Sequence, residues 1–175
     1  MISLKSFFAI LITFCVSMSI HAEVFIYGGA EWIQGSFIGP RHEGSVGVLI
    51  GRAGIEYKNV ALETRHGTGI LLKEVKSSSN QYEIGPESLS GLYSIFRMRS
   101  DVGLTPYGVV GVSKVEATVI KNSSKTTVTE TGLSFGFGMD FLMTKHTVGS
   151  FEYISYVDKG DVNFGGIGLG AMYAF

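Results

Sequence analysis

Residues 163–175, NFGGIGLGAMYAF, decide how the rest of the chain is read. At a period of two, Gly165, Ile167, Leu169, Ala171, Tyr173 and Phe175 share one face, and Phe164, Gly166, Gly168, Gly170, Met172 and Ala174 share the other. One face is apolar and ends in aromatics, while the other is mostly glycine. That is a strand whose outer side meets hydrocarbon and whose inner side lines a narrow space.

Residues 129–141 repeat the pattern in its cleanest form. Leu133, Phe135, Phe137, Met139 and Phe141 alternate with Gly132, Ser134, Gly136, Gly138 and Asp140. The inner face of a soluble sandwich needs bulk, and here the bulk stands opposite glycine. Thirteen residues at about 3.3 Å each, tilted near 45°, rise about 30 Å, enough to cross an apolar band of roughly 25 Å.

Six further strands follow from the same periodicity. Residues 23–33 place Glu31 opposite Val24, Ile26 and Trp32. Residues 45–57 separate Arg52 and Glu56 from Leu49, Ile55 and Tyr57. In residues 60–65, Glu63 and Arg65 oppose Val60, Leu62 and Thr64. Residues 89–99 put Leu92, Ser94, Phe96 and Met98 outside and Arg97 and Arg99 inside, together with Tyr93 and Ile95. In the strand after residue 103, Thr105, Tyr107, Val109, Gly111 and Val115 are read as outward, and Lys114 and Glu116 as inward. Residues 146–157 set Glu152, Ile154 and Tyr156 against Phe151 and Tyr153, with a bulge expected near Gly149 and Ser150.

Eight strands result, and their connections alternate. Those at 34–44, 68–88, 119–128 and 158–162 are read as long external loops, and those at 58–59, 100–103 and 144–145 as short turns. An even strand number with long and short connections taking turns predicts an all-β, eight-stranded antiparallel up-and-down transmembrane β-barrel. Residues 1–22 carry Lys5, an apolar run from Phe7 to Val16 and an exit ending in Ala22, the layout of a secretory signal peptide cut after Ala22 or after Ser19. Residues 23–175 are then the barrel domain. Cys15, the one cysteine, lies in the signal, so the exported chain holds together without disulfides.

The segments ALETRHGTG (61–69) and TPYGVVGVSKVEA (105–117), with the Tyr173-x-Phe175 terminus, resemble the OmpA/OmpX-type outer-membrane β-barrel superfamily. The resemblance implies a bacterial outer-membrane location, and Tyr173 and Phe175 match the C-terminal signal read by the barrel-assembly machinery. Outer-membrane lipid and lipopolysaccharide are its implied surroundings. No peptidoglycan-binding domain follows the barrel, which removes the wall-tethering role of longer members.

An eight-stranded interior is just wide enough for side chains to fill. Glu31, Arg52, Glu56, Glu63, Arg65, Arg97, Arg99, Lys114, Glu116, Glu130, Asp140 and Glu152 are assigned to it, seven acids and five bases. Near-balanced charge in a low-dielectric space implies pairing, hence a plugged barrel rather than an open pore. Leu133, Phe135, Phe137, Met139, Phe141, Leu169, Tyr173 and Phe175 are assigned to the lipid face.

Chemistry is sparse. Acyl transfer or hydrolysis needs Ser and His oriented by a carboxylate, and His42 with Glu43 and Ser45, or His66, offers the residue types without a signature. The histidines show no metal-ligand spacing, no cofactor motif is present, and a net charge of −1 does not attract nucleic acid. The sequence therefore predicts a monomeric, non-enzymatic barrel presenting external loops, chiefly 68–88, to a host or matrix macromolecule. A narrow ion channel and a lipid A-modifying enzyme are the alternatives.

Overall fold

The computed structural model describes residues 24–39, 42–71, 73–77, 80–98, 100, 102–121, 124–159 and 162–175. Among the described residues there are nine strands: β1 (Val24–Gly39), β2 (His42–Tyr57), β3 (Val60–Leu71), β4 (Lys73–Ser77), β5 (Asn80–Arg97), β6 (Leu104–Lys121), β7 (Ser124–Leu142), β8 (Thr147–Lys159) and β9 (Val162–Ala174). All ladders are antiparallel: consecutive strands pair except β3 and β4, β3 pairs instead with β5, and β9 returns to β1. Eight strands close the barrel. β4 pairs with the start of β5 alone, from Lys73↔Ile84 to Ser77↔Asn80, and carries the β3–β5 hairpin onward as an arm.

Closure reaches the last residue. β1 and β9 pair from Tyr27↔Ala174 to Ile38↔Asn163, and the Phe175 N–H donates to the Ile26 carbonyl at 2.9 Å. Along this seam the backbone polar groups are paired within the protein, which a membrane span requires.

The short-turn end is tight. Lys58 and Asn59 join β2 to β3, with Tyr57 paired to Val60 and Lys58 held at a left-handed φ of 54°. At the opposite end, most of the length expected as loop is strand. The β1–β2 ladder runs to Gly39↔His42, the β6–β7 ladder to Lys121↔Ser124, and the expected 68–88 loop is mostly the arm and the tops of β3 and β5. The sequence there lacks side-chain alternation, but the backbone donors and acceptors still favour ladder pairing.

One seam differs from the others. β7 and β8 pair only from Phe135↔Ser155 to Leu142↔Val148. Beyond it, β8 bulges between Ser155 and Val157, and the Ser134 hydroxyl donates to the Tyr156 carbonyl at 2.8 Å. The bulge expected at Gly149 and Ser150 thus lies six residues further along, where an extra residue turns both Tyr156 and Val157 into the core.

The outer wall carries a wide apolar band, with Leu133 (74% exposed), Phe137 (66%) and Leu169 (61%) among its residues. Ile33, Ile50, Leu89, Ile95, Ile154 and Phe164 are fully buried in the interior, so apolar groups turn inward as well as outward.

Candidate functional site

The inward-facing charges gather into two clusters joined by tyrosines. In the central one, Arg52 donates from Nε to Glu63 Oε1 (3.0 Å), from Nη2 to Glu63 Oε2 (3.1 Å) and from Nη1 to Glu31 Oε2 (3.2 Å). Arg65 donates from Nε to Glu63 Oε1 (2.6 Å) and from Nη2 to Glu152 Oε2 (2.9 Å). The side chains of these ion pairs are 0% exposed. Neighbouring strands place them. Glu31 is on β1, Arg52 on β2, Glu63 and Arg65 on β3, and Glu152 crosses from β8.

The second cluster lies nearer the short turns. Arg97 donates from Nε to Asp140 Oδ2 and from Nη1 to Glu56 Oε2, both at 2.8 Å. Its guanidinium carbon stands 5.3 Å from the centre of the Tyr27 ring and 5.8 Å from that of Tyr107. Those tyrosines link the two clusters, because the Tyr27 hydroxyl donates to Glu63 (2.7 Å) and the Tyr107 hydroxyl to Glu152 (3.0 Å). Among the described residues, one buried oxygen in each cluster has no hydrogen-bond partner, Glu31 Oε1 and Asp140 Oδ1.

Toward the opposite end, aromatics replace charge. Tyr93 meets Tyr156 edge to face at 6.2 Å, Tyr156 stacks on Phe164 at 5.6 Å, and Arg65 lies 4.8 Å from the Tyr93 ring centre. Hydroxyls run on from Tyr93 through Ser113 (2.6 Å) to Ser134 (2.5 Å). Glycine makes room for these rings. Tyr27, Tyr93 and Tyr107 pair directly across their ladders with Gly54, Gly111 and Gly138, where a Cβ would collide with the tyrosine.

Of the charges assigned to the lumen, the structure brings together Glu31, Arg52, Glu63, Arg65 and Glu152 in one cluster and Glu56, Arg97 and Asp140 in the other. Glu130 is half-buried at the far mouth, 3.9 Å from Lys159, and Arg99 lies outside the described residues. Lys114 and Glu116 require correction. They point outward and pair with each other at 2.6 Å, Lys114 being 53% exposed, whereas Tyr107, Val109, Ser113 and Val115 are buried. Their charge is tolerated outside because they stand beyond the apolar band, in register with Ser90, Thr131 and Thr129 on the flanking strands. The tyrosines were the missed residues, and the inward glycines opposite them were the available signal.

The residues assigned to the lipid face are all exposed or partly exposed on the outer wall. His66 is exposed there too, with Nδ1 3.3 Å from Ser90 Oγ. The side chains of His42 and Glu43 lie outside the described residues.

The family model for the outer membrane protein beta-barrel domain matches residues 20–175. The chain belongs to this outer-membrane β-barrel family. It is thus a protein of the bacterial outer membrane, and the OmpA/OmpX-type resemblance and the eight-stranded barrel expected from the sequence both hold. Neisserial surface protein A is a solved structure of the same fold, with a TM-score of 0.71 and 17% identity over 86% of this chain and 97% of its own. Ail, the attachment invasion locus protein of Yersinia pestis, in complex with the heparin analogue sucrose octasulfate, gives a TM-score of 0.63 and 17% identity over 89% of this chain and all of its own. A major outer membrane protein of Thermus thermophilus gives 0.55 and 12% over 87% and 100%. No curated relative matches the chain.

Proposed function

We propose that this family member is a surface-interaction protein: a barrel with a plugged lumen that serves as a rigid mount for the strands projecting beyond the membrane. The observation that carries this reading is the length of paired strand past the apolar band. The β6–β7 ladder continues from Lys114↔Thr131 to Lys121↔Ser124, about 23 Å of strand at 3.3 Å per residue, and the β4–β5 arm stands beside it. Ladder pairing fixes the shape of such a platform before any partner arrives, which lowers the ordering cost of binding. A host or matrix macromolecule is the proposed partner. The Ail complex with a heparin analogue makes a sulfated glycan a suitable first probe. Lys121 and Lys125, with no acid between Ala117 and Thr129, put positive charge at one projecting hairpin.

The proposed plug consists of the two charge clusters capped by Tyr93, Tyr156 and Phe164. It rests on full burial of Arg65, Glu63 and Glu152 within a wall of eight strands. The wall residues Leu133, Phe135, Phe137, Met139, Phe141, Leu169, Tyr173 and Phe175 are the proposed lipid-facing surface. Residues 1–22 are the proposed removed signal, Tyr173 and Phe175 the proposed assembly signal, and the monomer the proposed working unit. No step of this reading calls for catalysis.

Whole cells producing the protein with and without residues 73–84 test the reading. Binding to immobilised matrix or sulfated glycan is expected to fall on deletion, and unchanged binding removes the arm as the site. In a planar bilayer the wild-type barrel is expected to give a flat current trace.

A further inference from the structure

Backbone hydrogen bonds alternate in direction along β7. The Leu142 N–H donates to the Gly103 carbonyl (3.2 Å), and the Met143 N–H, just past the strand, donates to the Thr147 carbonyl (3.0 Å). Even-numbered residues of β7 therefore turn their backbone groups to β6, and odd-numbered residues turn theirs to the β8 side. The β6–β7 ladder keeps one register from Leu104↔Phe141 to Lys121↔Ser124, so this parity holds to the tip.

On the β8 side the partner runs out first. β8 pairs with β7 no further than Ser155↔Phe135, and the β8–β9 ladder ends at Lys159↔Val162. The Lys159 ammonium lies 3.9 Å from a Glu130 carboxylate oxygen, which places the end of β8 beside that residue. Among the described residues, the N–H and C=O groups of Lys125, Thr127 and Thr129 thus meet no strand on that side, while β7 stays paired to β6 on the other.

The usual protection of an edge is missing here. Natural edge strands are closed to further pairing by proline, a bulge or well-placed charge. Residues 126–131, TTVTET, contain no proline, their register carries no bulge, and their one charge, Glu130, faces Lys159. Thr127, Val128 and Thr129 are exposed, and Thr and Val are residue types that suit a strand.

We propose that the free edge of β7 takes up an extended polypeptide segment of a partner protein as an added strand. The inference rests on the surface-interaction reading and names the partner's chemistry: a proline-free run of about six residues rich in Thr and Val, held by main-chain hydrogen bonds. A glycan offers no row of alternating donors and acceptors at the two-residue strand spacing of about 6.6 Å.

The probe is acetyl-TVTVTV-amide, N-methylated at its valines so that it keeps donors on one edge only and does not stack on itself. Added to the barrel in lipid nanodiscs, it is expected to slow amide hydrogen exchange at Thr127 and Thr129 about tenfold or more. Val128, whose N–H already belongs to the β6 ladder, is expected to stay unchanged. The fully N-methylated peptide is expected to have no effect. Thr129→Pro removes an edge donor and no bond to β6, and is expected to weaken binding about tenfold. Folding is read from gel mobility before and after heating, and if Thr129→Pro does not fold, Thr127→Pro and the fully methylated peptide decide. Absence of protection at Thr127 and Thr129, equal protection by the fully methylated peptide, or undiminished binding in a folded variant would overturn the proposal. Whole cells that bind matrix while the peptide fails overturn the edge alone. Peptide binding to a barrel whose cells bind no matrix leaves the edge standing and removes the surface-interaction reading.

Discussion

Arg65 and Glu152, 87 positions apart, face each other across the barrel interior in a two-pronged ion pair, with the two guanidinium Nη atoms on the two carboxylate oxygens. The pair ties β3 to β8, strands that share no ladder. Removing one partner strands a charge where no water reaches. Arg65→Met is expected to destabilise the barrel by about 3–5 kcal/mol, whereas Arg65→Met with Glu152→Gln together costs less than the sum of the two single changes. Urea unfolding in lipid vesicles checks both statements.

The same interior tolerates no added bulk on β9. A Cβ at Gly168 would collide with Glu31 Oε1 and approach Ile33 Cδ1 to 2.6 Å, and both of those side chains are fully buried. Gly168→Ala is therefore expected to lower stability by about 1–3 kcal/mol through overpacking. Gly108, where a Cβ meets nothing within 4 Å, is the control, and Gly108→Ala is expected to be near neutral. Thermal loss of the folded gel band distinguishes them.

The corrected facing of β6 can be read directly. A fluorophore on Val112→Cys is expected to be quenched by spin-labelled lipid, and one on Ser113→Cys is not. The opposite outcome would restore Lys114 and Glu116 to the interior. Lys114→Ala is expected to change stability by less than about 0.5 kcal/mol, as an exposed ion pair does.

Charge placed on the apolar wall has a depth-dependent cost. Phe137→Arg, at a position 66% exposed on the apolar face of β7, is expected to cost about 2–4 kcal/mol in a bilayer. Unfolding from vesicles is the measurement, and an unchanged midpoint would remove Phe137 from the lipid face.

β7 and β9 were legible because their two faces differ most in size: phenylalanines opposite glycines leave only one way to face lipid. On β2 and β3, Arg52, Glu63 and Arg65 declared their side by charge. On β6 charge does not mark the interior, because far along a long strand it can stand beyond the band: Lys114 is outside it while the interior is lined by Tyr107 and Val109. The tyrosine layer was hidden for a related reason. Tyr suits both the membrane interface and a polar interior, and only the glycine across the ladder distinguishes them. The strand extensions left no trace in side-chain alternation; their pairing is carried by the backbone, which every residue type except proline can supply.

Because Tyr27 joins Ala174 in the ladder that seals the wall, the first and last strands depend on each other across nearly the whole chain. No amino-terminal portion of the chain can complete a cylinder by itself. The cylinder can acquire its final form only once the carboxyl end of the chain stands beside its first strand.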